Sequence, residues 1–237
     1  MAFDTMAESV KKPQAWSWPD GARWAVFLQL HVLLTFLFAA VYGGSNWIAA
    51  HSGRDVNLHF AWELAIPLVP SAILIYFSIV LLFWLPLFVC SIEGLRALGR
   101  CFALATMAAG LLFVAFPVRS GFVRIPPEGP FEALFSTLWQ LDGAFNSIPS
   151  LHIAYSTLVF YALSARVAST PLRLIGGLWY LAICTSVLTV HQHHVADIAG
   201  GIALAWAARW VDQRWWPVNG HESHDHFFPS PVGRRDS

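Results

Sequence analysis

Two short stretches, Pro149-Ser150-Leu151-His152 and His193-His194-Val195-Ala196-Asp197, set ionisable and hydrogen-bonding groups at the edges of long apolar segments. An ionisable side chain held there costs free energy and marks a functional site by default. On a helix, His193 and Asp197 are four residues apart and share a face. A carboxylate one turn away accepts from one imidazole nitrogen, which fixes the tautomer and leaves the other lone pair for a substrate. That is the layout of an activated nucleophile. Alone, the spacing more readily describes two interfacial polar residues capping a span. His152 adds weight to the chemical reading. Asn146 or Ser147 can cap the helix that follows, with Pro149 in its first turn. Ser150 and His152 then sit at a helix N-terminus, where free N–H groups and the dipole favour an anion such as phosphate. Arg119 and Arg124, in the preceding loop, would grip phosphate bidentately, or else snorkel at the interface. The combination points to chemistry on a phosphorylated lipid, one histidine attacking phosphorus and another protonating the leaving group.

The elements that must position these groups are membrane helices. Of the 237 residues, 57% are hydrophobic and only 12% charged, about half the charge of a soluble domain. The formal net charge of zero gives no electrostatic basis for nucleic-acid binding. Cys90, Cys101 and Cys184 are odd in number and lack CxxC spacing, which reads as small packing residues rather than a disulfide framework or zinc site. Lys11, Lys12 and Arg23 precede an apolar run from Ala25 to Tyr42 that is longer than a signal-peptide core and reads as an uncleaved first span.

At about 20 apolar residues per span, the candidates lie near 24–43, 66–89, 98–117, 150–166, 172–191 and 196–212. The expected fold is therefore all-α, a polytopic membrane protein of about six transmembrane helices. Its parts are an N-terminal cytoplasmic segment over 1–23, a catalytic membrane domain over 24–216, and a disordered cytoplasmic tail over 217–237. Gly43-Gly44-Ser45-Asn46 reads as the start of a turn-rich loop. Pro67, Pro70 and Pro86 should bend the second span. The long connection 118–148 is a functional loop by its length, with a short surface helix from Phe131 to Leu138. His31 should bond a neighbour within the first span. Glu63 reads as an interfacial carboxylate or the partner of a loop arginine. His221, His224 and His226 lie in the tail.

The two motifs resemble those of the type-2 phosphatidic acid phosphatase superfamily, whose members share a six-span core with vanadium haloperoxidases. That family has Pro-Ser-Gly-His and, further on, Ser-Arg, five residues, His, three residues, Asp. Here Leu151 replaces the glycine, while Ser186, His193 and Asp197 keep the second spacing with Val187 in place of arginine. The leucine variant looks like the branch that includes inositol phosphorylceramide synthases, as does Phe116-Pro117 with Arg119. The family's first motif, a lysine followed by Arg-Pro, is reduced to Arg124-Ile125-Pro126 with no upstream lysine in the loop. The resemblance covers roughly residues 60–212. It implies His193 as nucleophile, Asp197 as its orienting partner, His152 as acid–base partner, and Ser150, Arg119 and Arg124 as phosphate contacts. It implies no cofactor and no metal. Phosphatidate, an isoprenyl phosphate and a phosphoinositol donor all fit as substrate, and so do hydrolysis and transfer, in any oligomeric state.

Charge asymmetry sets the orientation. With both termini inside, eleven basic residues fall on the cytoplasmic side, against Arg54, Arg119 and Arg124 on the other. That bias predicts a multi-pass cell (inner) membrane protein with cytoplasmic termini and both motifs facing away from the cytoplasm. Three other readings compete. A catalytically inactive lipid-binding relative would explain Val187 and the missing lysine. A haem-binding electron carrier would use histidines as axial ligands. His191, His193, His194 and Asp197 could together hold zinc.

Overall fold

The computed structural model describes residues 16–216, and the fold is all-α. The expected 217–237 tail and most of the N-terminal segment lie outside these residues. The chain opens with α1 (Gly21–His51), capped by Asp20, whose side chain accepts from the Arg23 amide at 2.8 Å. Its 31 residues make roughly 46 Å of helix at 1.5 Å per residue, well beyond a ~30 Å hydrocarbon core. The expected loop at Gly43-Gly44-Ser45-Asn46 is instead the helix's last turns. Ser45 donates to the Tyr42 carbonyl at 3.1 Å, and Ser45 and Ala49 are buried. Tertiary contact here overrides the weak helix propensity of Gly, Ser and Asn.

A two-residue strand β1 (Val56–Asn57) and a 3₁₀ turn (Ala61–Ala65) lead to the second apolar segment. Helix begins there only at Ala72, because Pro67 and Pro70 remove backbone donors. The segment is broken into α2 (Ala72–Phe77), α3 (Ile79–Trp84) and α4 (Pro86–Val89), with Pro86 starting the last piece. Then α5 (Ile92–Ala115) is capped by Ser91. In the long connection, β2 (Val118–Arg119) pairs in parallel with β1 and α6 (Glu132–Leu141) supplies the expected short helix. The chain finishes with α7 (Leu151–Ser164), α8 (Thr170–Thr189) and α9 (Val195–Trp215).

Among the described residues, four segments are long and apolar enough to cross a membrane: α1, Ala72–Val89, α5 and α8. α7 is apolar but shorter, and α9 carries Asp197, Arg209, Asp212 and Arg214. Leu33, Phe36, Leu111, Leu178 and Leu181 are all more than 60% exposed, which suits lipid rather than water as their solvent. α5, α7 and α9 pack on one another, with α1 laid along α5 and α8 against α7 and α2. At the far end from the motifs, Arg100 pairs with Asp212 at 2.6 Å and Arg209 lies over the Tyr161 ring at 4.3 Å. Cys90 and Cys101 are buried, and all three cysteines are thiols rather than disulfides.

Candidate active site

Ser150, rather than Asn146 or Ser147, caps α7. Its backbone is extended and its Oγ accepts from the Ile153 amide at 3.3 Å. Pro149 thus stands before the cap. Asn146 lies four residues before the cap and is held there by its Nδ2, which donates to the Tyr42 carbonyl at 2.8 Å. The Ser150 amide donates to the Asp197 carbonyl at 3.1 Å, which ties the two motifs together through backbone. That approach needs Gly201: a Cβ there would stand 2.5 Å from the Ser150 carbonyl oxygen and 3.0 Å from Ile153 Cβ.

His193 is not on a helix, since α9 starts at Val195. It belongs to the turn before it, where the Val187 carbonyl accepts from both the Gln192 and His193 amides at 3.0 Å. The pair still forms, with His193 Nδ1 at 3.3 Å from Asp197 Oδ2. Asp197 is fully buried, and the same oxygen accepts from the His194 amide at 2.9 Å. Because Nδ1 is engaged, Nε2 of His193 is the free nitrogen.

His152, on the first turn of α7, stacks on Tyr76 with ring centroids 4.1 Å apart, and its buried Nε2 has no partner. His152 and His193 line the same cavity, of about 380 Å³, together with Tyr42, Tyr76, Asp142 and Asn146. Ser150, Arg119 and Arg124 do not line it. Ser150 is buried behind it, and Arg119 is exposed, 3.7 Å from Asp55 and stacked on Phe145 at 5.0 Å. Arg124 reaches the rim through Asp142: its NH2 is 2.8 Å from Asp142 Oδ2 and its NH1 3.2 Å from the Asp142 carbonyl. Tyr42 also donates to Asp142. Gln192, with its amide oriented to satisfy its neighbours, donates to it at 2.8 Å and accepts from Trp139 at 2.6 Å.

Asp142 escaped the sequence reading because it lies in no motif. Its only signal is its place at the C-terminal end of the short apolar helix. Glu63 is fully buried and bonded to backbone rather than paired with a loop arginine: Oε1 accepts from the Val195 amide at 2.6 Å and Oε2 from the Phe60 amide at 2.5 Å. Oε2 is also 3.6 Å from His194 Nδ1. Nearby, His191 Nε2 bonds the Ile66 carbonyl at 2.9 Å and the Val69 amide bonds the Thr189 carbonyl. Residues 63–69 therefore strap the turn that carries His193. His194 accepts from the Gly121 amide through Nε2 at 3.1 Å, and burial pushes its imidazole below the ordinary range, against the pull of Asp197 and Glu63. The histidines weighed as zinc ligands thus turn to separate partners. Among the described residues no group of three His, Cys, Asp or Glu is placed to hold a metal ion. His31 bonds the Phe27 carbonyl at 3.0 Å, as expected of a span histidine.

The site therefore presents two histidines on one cavity, one oriented by a buried carboxylate and one with an unpartnered nitrogen. A family model described as the PAP2 superfamily matches residues 29–211. Comparison with curated proteins and with solved structures finds no match.

Proposed function

This chain belongs to the PAP2 superfamily, and from that premise we propose that it is an integral membrane lipid phosphatase or phosphotransferase working through a phosphohistidine. One observation carries the reading: His193, oriented by buried Asp197, and His152, with an unpartnered Nε2, line one cavity. His193 Nε2 attacks phosphorus, the P–O bond to the lipid alcohol breaks, and protonated His152 delivers its proton to the departing oxygen. His152, now neutral, takes a proton from water or a second alcohol, which attacks phosphorus as the P–N bond breaks. General acid–base catalysis of this kind contributes roughly 10²–10⁴ in rate.

The phosphate is held by what surrounds the cavity. Ile153 and Ala154 spend their amides on Ser150, so the first turn of α7 keeps those of Leu151 and His152 for an anion. A guanidinium has five donors, and Arg124 spends two on Asp142, leaving three for phosphate oxygens at the rim. Arg119 and Ser150, off the cavity lining, contribute positive charge nearby and the α7 cap respectively rather than direct contacts. The missing motif cation is accounted for locally, since Val187 is fully buried in the core.

A second reading, an inactive lipid-binding relative, is favoured by that same Val187 and by the Asp142 carboxylate beside the cavity. Incubation of purified protein with a panel of lipid phosphates in EDTA separates the two, with phosphate release and new lipid products followed together. An enzyme turns over, and His193→Ala loses at least about a hundredfold. Binding without turnover supports the inactive relative.

A further inference from the structure

The cavity continues past the two histidines, and its shape bears on what it accepts. Six helices line it, and α1 does so along its length at helical spacing, with His31, Leu34, Thr35, Phe38 and Tyr42. Tyr42 contacts the polar end through Asp142. His31 lies 11 positions earlier on the same face, roughly 16 Å deeper at 1.5 Å per residue. The inner walls are aromatic. Phe83 packs against Phe102 at 5.8 Å and Tyr155 at 6.1 Å, and Phe38 faces Tyr155 at 6.5 Å.

Two of the polar side chains along this inner stretch, Thr106 and Tyr155, satisfy each other. Thr106 donates to the Phe102 carbonyl at 2.7 Å. Its single proton is thereby used, so in its 2.6 Å contact with Tyr155 the phenol is the donor. Neither hydroxyl has a proton left for a ligand. The unpartnered buried atoms of the cavity, His152 Nε2 and Asn146 Oδ1, lie instead at the Asp142 end. The cavity is polar at the Asp142 end and lined mainly by aromatic and aliphatic side chains beyond it, with the His31 imidazole, bonded through Nδ1 to the Phe27 carbonyl, near its far end.

We propose that this slot holds one hydrocarbon chain of about a dozen carbons from a phosphorylated amphiphile, with the head group at His152 and His193. The length follows from roughly 16 Å at about 1.3 Å per carbon of an extended chain with ~1.5 Å bonds. The inference rests on the lipid phosphate reading above and deepens it: a single-chain phosphate is a sufficient substrate, and the enzyme senses that chain's length.

The test uses n-alkyl phosphates from six to eighteen carbons with the purified full chain, measuring kcat/KM for each. Leu34→Trp fills the deep end from α1, and Thr35→Phe does so with a different side chain in case the first variant fails to fold. Leu33→Trp adds the same bulk on the exposed, outward face. Dividing each variant's value by wild type at the same chain length removes differences in partitioning. For the two deep-end variants this ratio falls at least tenfold between the six- and fourteen-carbon substrates, and for Leu33→Trp it stays flat. A flat ratio in the deep-end variants, with turnover intact, overturns the slot and leaves the phosphatase reading standing. Turnover of a diacyl phosphate but of no alkyl phosphate by wild type overturns single-chain sufficiency alone, and turnover of neither overturns both.

Discussion

At the scale of single residues, the site depends on where each charge is already committed. Arg124 bridges Asp142 with two N–H groups and keeps three. A lysine there offers a point charge that cannot span both partners. Arg124→Lys should lower kcat/KM by about tenfold or more, and a value equal to wild type would remove Arg124 from phosphate binding. His194 carries a pH signature. Its imidazole faces Glu63, Asp197, His59 and His193 in a buried pocket, and burial holds it below the ordinary value of 6.5. Between the folded and unfolded values the unfolded chain binds more protons, so stability rises with pH there and is lost as pH falls below about 6.5. The thermal midpoint in detergent should drop between pH 7 and pH 5, and drop less in His194→Gln, whose amide oxygen can still accept from Gly121. An equal drop in both would place the titrating group elsewhere. That His152 and the His193–Asp197 pair come together was anticipated from their type and spacing. Asp142 and Glu63 were not, because their role comes from partners 18 to 132 positions away in sequence, such as Arg124 and Val195.

The elements bring the motifs together by backbone contact. α9 approaches the start of α7 closely enough for the Ser150 amide to reach the Asp197 carbonyl, with no room for a side chain at position 201. Small residues permit such approach between membrane helices. Gly201→Ala should cost about 1–3 kcal/mol as an overpacked contact and separate His193 from His152, so both Tm and kcat fall. Gly176→Ala, whose added Cβ meets nothing nearer than 3.9 Å, is the matched control. Loss of activity in both variants, or in neither, would contradict this packing. Apolar run length located all six long segments to within several residues. It failed at Gly43–Asn46, where burial of Ser45 and Ala49 extends α1, and at residues 66–71, where prolines delay α2. Hydropathy cannot see either effect, because both arise from tertiary contact or a missing donor.

For the whole molecule, the question is which side the site faces. Trp47 and Trp62 are exposed near the site, and Trp16, Trp18, Trp210, Trp215 and Trp216 near the other end, as in the aromatic belts at the two faces of a bilayer. With the basic residues concentrated at the ends away from the motifs, the positive-inside rule predicts a site that faces outward, and we propose that orientation. Cysteines at Ser120 and Gly220 should therefore label oppositely with an impermeant thiol reagent in intact cells, the first reacting and the second protected. Equal labelling would overturn an even number of spans.

Capture of the covalent intermediate tests the central claim most directly. Purified protein mixed with a lipid phosphate labelled on phosphorus, and quenched under alkaline conditions within one turnover, should retain acid-labile, alkali-stable label on the chain. The label should be absent from His193→Ala and should map to the peptide containing His193 in the wild type. Label persisting in His193→Ala, or steady turnover by the wild type with no label at any quench time, would contradict histidine catalysis at this site.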